Sequence, residues 1–412
     1  MRIQKCKGTR DLTSRQMEQF RFIESVFRDS CLKWGYEEVR TPTLEYLHLF
    51  TSAGTLTPGT LGKVYSFLDW DGWSGERVVL RPDGTIPVAR MYIDNENQKE
   101  LARLFYITNI FIFEETGLEN RERWQCGSEM IGISSPSADV ELVSLAVETL
   151  RNIGIPNIKI KLSHAGIIRA LLTGFGLSPE EQGKVFDHIL DGDTAVIAQL
   201  KAQRPELVNL LAPLLEMKGR NAGFLKNQKT IFTSKLPEFV PALENFIKVT
   251  ELLTAMGLKY EIDVASGTGF EYYTGMIFQL FVGDVKVGGG GRYDALIPLL
   301  GGKDIPASGF ALYIDPIMDL IKTYHSDEAV GVTVNVQGKS IAANKNAFEL
   351  INKLHSIGLK ASLTLEKQLP SSGWLIQVGE SFPVYMLINA GEKTSRPAET
   401  IEQVLKMMGG KK

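Results

Sequence analysis

Along residues 17–32 the apolar positions recur at helical spacing, with Phe20, Phe22, Ile23, Val26 and Phe27 marking an amphipathic helix. Gly35 ends it, and Val39 leads an extended segment to Pro42, a residue that fits neither a helix interior nor a central strand. Short apolar runs predict strands over 77–81, 104–113 and 125–133, with a Pro82-Asp83-Gly84 turn after the first. A helix over 139–153 follows, where Leu142, Val143, Ala146, Val147 and Leu150 fall on one face. In "NIKIKLSH" the alternation of Ile158, Ile160 and Leu162 with Lys159 and Lys161 is that of a half-exposed strand. From about 168 to 253–255 the pattern is helical and carries no strand signal, which reads as an inserted helical region. Strands return at 260–264, 276–282 and 284–287, and the glycines at 288–291 then lead into "RYDAL".

The polar stretch "KTYHSDEA" sets this body, residues 1–322, apart from a tail over 329–412. The tail opens on "VGVTVNV", continues with a helix around 343–355 and strands in "ASLTL", "GWLIQVG" and "VYMLINA", and closes with a helix over 397–408. It is a small α/β module. The body lacks a regular βαβ rhythm and is expected to be α+β with a largely antiparallel sheet.

At 412 residues the chain has length for two or three domains. Its 44% hydrophobic and 23% charged residues are those of an ordinary globular protein, and a net charge of −3 argues against a broad nucleic-acid footprint. Cys6, Cys31 and Cys126 form neither a disulfide framework nor a zinc motif, so reduced thiols are expected. The N-terminal residues contain no apolar signal region and no apolar run is long enough for a membrane span, so a cytoplasmic location is expected.

Single motifs say little about chemistry. "NIFIFEETG" runs an apolar strand into Glu114 and Glu115, with Arg121 and Arg123 following, much like the floor and lip of a nucleotide site. Yet Ile112 stands where such a site wants a cation. "GGGGRYD" lacks the Lys of a phosphate loop, and a close approach of backbone to a neighbouring strand or ligand explains its glycines equally well. The five histidines show no metal spacing and no Ser-His-Asp arrangement, so no metal site is expected, and no cofactor is assigned. Asp294 reads as a structural turn residue.

Taken in order, "RTPTLE", "LRPDGT", "RERWQCGSEMIG", "FEYYTG", "GGGRYDAL" and "GFAL" resemble the motifs of class II aminoacyl-tRNA synthetases, and among them histidyl-tRNA synthetase, over roughly residues 5–320. The tail resembles a shortened, degenerate anticodon-binding domain. The resemblance implies an antiparallel sheet flanked by helices and a homodimer interface around Pro42.

It also implies where the phosphates of ATP would be held. Arginines suit that task because their fork binds phosphate oxygens in pairs. Where the synthetase has three of them, this chain has Ile112, Thr268 and Pro316. Losing one charged donor of this kind costs about 2.7–4 kcal/mol of transition-state stabilisation. No catalytic residue is therefore assigned.

The amino-acid end is kept. Positions that hold histidine in the synthetase correspond here to Asp83, Thr85, Gln125, Glu129, Tyr272, Tyr273 and Tyr293. If 270–275 is extended, only one of Tyr272 and Tyr273 faces the pocket. Such a binder without catalysis resembles the ATP phosphoribosyltransferase regulatory subunit family, whose patterns "KWGYEEVRTPTLE", "LRPDGTIPVAR", "SEMIG" and "LSHAGI" fit well. That family implies a hetero-oligomer with a short-form catalytic subunit, a part in histidine biosynthesis and feedback by histidine, with no tRNA and no membrane. Whether histidine occupies the ancestral pocket or a subunit interface stays open. The alternatives are a histidine-tRNA ligase whose arginines come from elsewhere, such as Arg121 or Arg123, and a synthetase-derived protein that binds another amino acid or acts in signalling.

Overall fold

A computed structural model describes residues 3–54, 61–69, 75–95, 101–174, 218–219, 221–232, 239–263, 273–321, 331–338, 340–364, 373–389 and 394–408. The chain forms two compact units, Met1–Lys322 and Thr323–Lys412.

The first unit opens with the helix Ser14–Lys33, which starts ahead of its apolar stripe because Thr13 and Gln16 cap it reciprocally. The strands follow as β1 (Glu37–Glu38), β2 (Leu44–Tyr46), β3 (Ser66–Leu68), β4 (Arg77–Leu80), β5 (Ala102–Phe111) and β6 (Glu122–Ile131). After the helix Pro136–Asn152 come β7 (Lys159–His164), β8 (Lys218–Gly219), β9 (Tyr260–Asp263), β10 (Met276–Val282), β11 (Val285–Arg292) and β12 (Ala307–Tyr313). Nine of them form one sheet in the order β1-β5-β6-β12-β11-β10-β7-β9-β8. Only the pairs β1–β5 and β7–β9 are parallel, so the sheet is largely antiparallel, as the motif order implies. β2, β4 and β3 make a separate small sheet.

One face of the large sheet is the core. Side chains alternate across a strand, so Cys126, Ser128 and Met130 of β6 share that face with Phe105 of β5 and Phe310 of β12. The helix Ser14–Lys33 lies over them, with Phe27 edge-on to Phe105 (5.9 Å) and Phe310 (6.4 Å). The opposite face is left for the site.

Three expectations need revision. The strand expected to end at 287 runs on through the glycines at 288–291, and of their two readings close approach to a neighbouring strand is the one that holds. A side chain at Gly290 would collide with Gly309 O and Phe310, and one at Gly288 would lie 2.7 Å from Ala311 O, so these residues are bare because neighbouring strands fill their space. The region from 168 to 255 is not wholly helical. Its described parts are the helices Ala165–Gly174, Ala222–Phe232 and Phe239–Ala255, with the two-residue β8 pairing to β9; 175–217 lie outside the described residues. Nor is Pro397 helical.

In the second unit β13 (Val332–Val336), β14 (Ala361–Leu363), β15 (Trp374–Val378), β16 (Tyr385–Asn389) and β17 (Thr394–Ala398) form a sheet ordered β14-β13-β15-β16-β17. Pro397 belongs to β17, an edge strand that can spare one N–H, and the last helix starts only at Ile401 behind the cap Thr400. Val334, Ile376 and Leu387 from this sheet pack with Ala347, Leu350 and Leu354 of the helix Ile341–Ser356.

Candidate functional site

The free face of the large sheet carries Tyr106 of β5, Gln125, Gly127 and Glu129 of β6, Gly309 and Tyr313 of β12, and Gly291 of β11, by their pairing across the ladders. The middle of this floor is paved with glycine. That bareness leaves room for the one large acid rising from it.

Glu129 is 1% exposed and receives three hydroxyls. Thr85 Oγ1 donates to Oε1 (2.8 Å), Tyr106 OH donates to the same oxygen (3.2 Å), and Tyr293 OH donates to Oε2. Burial pushes its carboxyl up to about 8; the hydroxyls of Tyr293 and Thr85 oppose that shift, and the nearby charge of Asp83 adds to it. Gln125, also buried, points Nε2 at Tyr106 OH (3.4 Å), so this phenol accepts from one neighbour while donating to another.

Asp83 and Thr85 reach the floor from the turn that starts the helix Thr85–Asp94. The amide of Ile86 donates to Asp83 Oδ1 (2.8 Å), so Asp83 caps this helix as well as lining the site. Burial raises its carboxyl to about 6 against the pull of the backbone amides of Ile86, Thr85 and Gly84. The preceding Arg81 is buried and donates to Asn109 O and Oδ1 (both 2.7 Å) and to Thr41 O and Pro42 O (both 2.9 Å). It thereby ties the Pro42 segment, the turn and β5 together.

Tyr273 roofs part of the floor: a Cβ on Gly291 would lie 2.9 Å from its ring. Tyr293, 2% exposed, enters just after β11. The sequence-predicted Asp83, Thr85, Gln125, Glu129, Tyr273 and Tyr293 are thus gathered around one carboxylate. Tyr272 and Thr268 lie outside the described residues. Asp294 accepts from Arg292 (3.0 Å) and from the amide of Ala307 (3.1 Å). Arg292 in turn pairs with the buried Asp139 (2.7 Å), so Asp294 is structural.

Residues that the sequence reading missed are Tyr106, Tyr313 and Gly309. The signal for Tyr106 was its cross-strand partner Gly127, whose missing side chain is replaced by the Tyr106 ring. Tyr313 stands opposite Gln125, and burial together with the charge of Asp83 raises its phenol to about 12.

The phosphate end looks different. Ile112 lies one residue beyond β5, its amide bonded to Arg121 O (2.9 Å). Pro316 sits in the first turn of the helix Ile314–Leu320, where a missing N–H does no harm, and its neighbour Asp315 pairs with Arg10. Arg121 is held by Glu114 O (2.8 Å) and stacks on Phe113 (4.6 Å to the ring centre), and Arg123 binds Glu119 (2.7 Å) and Asn120 O (3.0 Å). Both are engaged inside their own hairpin.

Comparison with known proteins bears on the family and the fold. Residues 8–317 match the histidyl-tRNA synthetase family. An ATP phosphoribosyltransferase regulatory subunit of Dehalococcoides mccartyi is 48% identical over 412 residues, 99% of either chain. A histidine–tRNA ligase of Methanosarcina acetivorans is 34% identical over 366 residues, covering 86% of this chain and 84% of its own. Among solved structures, an ATP phosphoribosyltransferase regulatory subunit/histidyl-tRNA synthetase from Bacillus halodurans superposes with a TM-score of 0.76 at 22% identity, over 90% of this chain and 95% of its own. At that identity the likeness speaks for the fold.

Proposed function

The chain belongs to the histidyl-tRNA synthetase family, among its ATP phosphoribosyltransferase regulatory subunits, and on that premise we propose that it serves a short-form catalytic subunit as its histidine-responsive partner. In this reading it supports the catalytic subunit's activity, conveys feedback by histidine, and performs no catalysis and binds no tRNA itself. The observation that carries it is the asymmetry of the site. Carboxylates, an amide and phenols converge where an amino acid would lie, while Ile112 and Pro316 occupy two positions at which the family's catalysts hold phosphate with arginine.

Histidine suits such a pocket. Glu129 and Asp83 match an ammonium, Gln125 can orient a polar ring atom, and Tyr273 and Tyr293 wall a flat ring. The ligase reading is disfavoured because Arg121 and Arg123 are already engaged within their hairpin.

The reading includes a homodimer through the small β2-β4-β3 sheet, next to Pro42. Leu44, Tyr46, Phe67 and Leu68 are exposed there, Leu68 by 59%, and an apolar strip of this kind is characteristic of an interface. It also treats 329–412 as a reduced anticodon-binding-like domain. No helix among the described residues is long and apolar enough to cross a membrane.

The test is to mix the full chain with a short-form catalytic subunit from the same source and follow phosphoribosyl-ATP formation with and without histidine. A rise in activity on mixing that histidine suppresses is the expected result. Absence of association and effect, together with histidine-dependent pyrophosphate exchange by the chain alone, would hand the case to the ligase reading.

A further inference from the structure

The floor of the site changes character along its length. Successive rows on the free face pair Glu129 with Gly309, Gly127 with Ala311, and Gln125 with Tyr313 across the β6–β12 ladder. These rows advance toward the phosphate end, because Ile112 lies one residue beyond β5 and Pro316 sits in the helix that starts right after Tyr313. On β12 the free face therefore reads glycine, alanine, tyrosine in that direction. The bare stretch ends on a large ring.

That ring is not part of the core. Its chain neighbours Leu312 and Ile314 point to the opposite face and are 1% and 0% exposed, whereas Tyr313 is half-buried. It also stands among the residues of the pocket. Burial raises its phenol, the charge of Asp83 raises it further and that of Arg123 opposes them, while the Tyr273 phenol is raised by burial and then by Tyr313 itself.

We propose that Tyr313 is the end wall of the pocket, a specificity-determining residue that admits a free amino acid and excludes one extended through its carboxyl, as in an adenylate. The inference rests on the histidine-pocket reading above and adds the residue that limits the ligand's length. Strand residues advance by about 3.4 Å each, so the Tyr313 row lies about 13 Å beyond the row of Glu129. An amino acid is joined to AMP through its carboxyl, so in a pocket of this family the carboxyl faces the phosphate end. It then meets the Tyr313 ring, which has two side-chain torsions and little freedom to step aside once packed. The lost arginines at Ile112 and Pro316 remove what would attract a phosphate; Tyr313 removes the space behind the carboxyl. The two effects are separable, since one reads the ligand's charge and the other its length.

The experiment uses histidinamide and its N-benzyl derivative, which carry no phosphate and differ only in what extends from the carboxyl carbon. Both are titrated calorimetrically into the full chain and into Tyr313→Ala, Tyr313→Leu and Tyr313→Phe, each first checked for a cooperative melt. The unaltered chain should bind the N-benzyl amide at least about tenfold more weakly than histidinamide, and Y313F, which keeps the ring, should preserve that gap. Y313A should narrow it to within about threefold, chiefly by binding the longer ligand more tightly, and Y313L serves in its place if Y313A does not fold. Equal binding of the two amides by the unaltered chain, or a gap that survives in the folded small variant, overturns the wall and leaves the pocket reading intact. No binding of histidine or histidinamide to the unaltered chain overturns both.

Discussion

Gly309→Ala is the smallest change that should dismantle the site. Gly309 pairs with Glu129 across the β12–β6 ladder, and its backbone conformation is one that alanine adopts without strain. A Cβ there overlaps Glu129 Oε2 and falls 2.7 Å from both Glu129 Cδ and Ser128 O, against 3.4–4 Å for ordinary contact. Ser128 O belongs to the ladder and cannot retreat. The carboxylate must therefore swing away, breaking its hydrogen bonds with Tyr293 and with at least one of Thr85 and Tyr106. Overpacking costs about 1–3 kcal/mol and each lost hydrogen bond about 0.5–1.5 kcal/mol, so a loss of roughly 2–6 kcal/mol of stability is expected. Histidine affinity should fall by tenfold or more, about 1.4 kcal/mol. Gly62→Ala is the control, since nothing lies within 4 Å of a Cβ there, and it should stay within about 0.5 kcal/mol. Urea denaturation and calorimetric histidine titration check both. If G309A matches G62A in stability and binds histidine unchanged, the packing of Glu129 described above is wrong.

Asp139→Asn should cost about 1.5–3 kcal/mol in denaturant titration, because it removes the buried carboxylate facing Arg292 and leaves that guanidinium with Asp294 and Ile133 O. Glu129 titrates near 8 when folded and near an ordinary carboxyl of 4.5 when unfolded, so the folded state binds the extra proton between those values. Its contribution to stability is full at low pH and fades as pH rises, by about 1 kcal/mol per unit between about pH 6.5 and 8, and the E129Q chain should lose that slope. His164 acts in the other direction: burial lowers its ring to about 4, so stability declines as pH falls from 6.5 toward 4. Ile112→Arg alone should show no histidine-dependent pyrophosphate exchange, since Pro316 still leaves the phosphates unheld. On the proposed interface, Leu68→Glu should sediment as a monomer where the unaltered chain sediments as a dimer, and a dimeric mass for both would move the interface elsewhere.

Much of this was legible because β-strands announce themselves by a period of two. The alternation through β6 fixes Gln125 and Glu129 on one face and Cys126 and Met130 on the other, with no need of a structure. The glycines of β11 were harder, since a glycine run reads alike as a loop or as a strand beneath a neighbour, and only the positions of Phe310 and Gly309 O decide. Pro397 was misplaced in a helix because propensity says nothing about whether a strand lies at a sheet edge. Tyr106 was overlooked as one aromatic in an apolar strand. Its meaning comes from contacts across the sheet to residues 19 and 23 positions away.

The electrostatics of the site point the same way as its missing arginines. Asp83 and Glu129 lie on one floor, and their burial makes each other's charge felt more strongly than in water. A triphosphate entering such a floor meets like charge unless cations intervene, and at Ile112 and Pro316 none does. The nearby Arg123 is held by Glu119 and Asn120 O at the hairpin tip. Placing one arginine at 112 would leave the two acids, the first-turn proline and the Arg10–Asp315 pair as they are. The two acids that oppose a phosphate are the features that would favour an ammonium. On the reading proposed above, the same floor that would fail to stabilise a pentavalent phosphorus suits a small cationic ligand, and Glu129 is held for it by the buried hydroxyls of Thr85, Tyr106 and Tyr293.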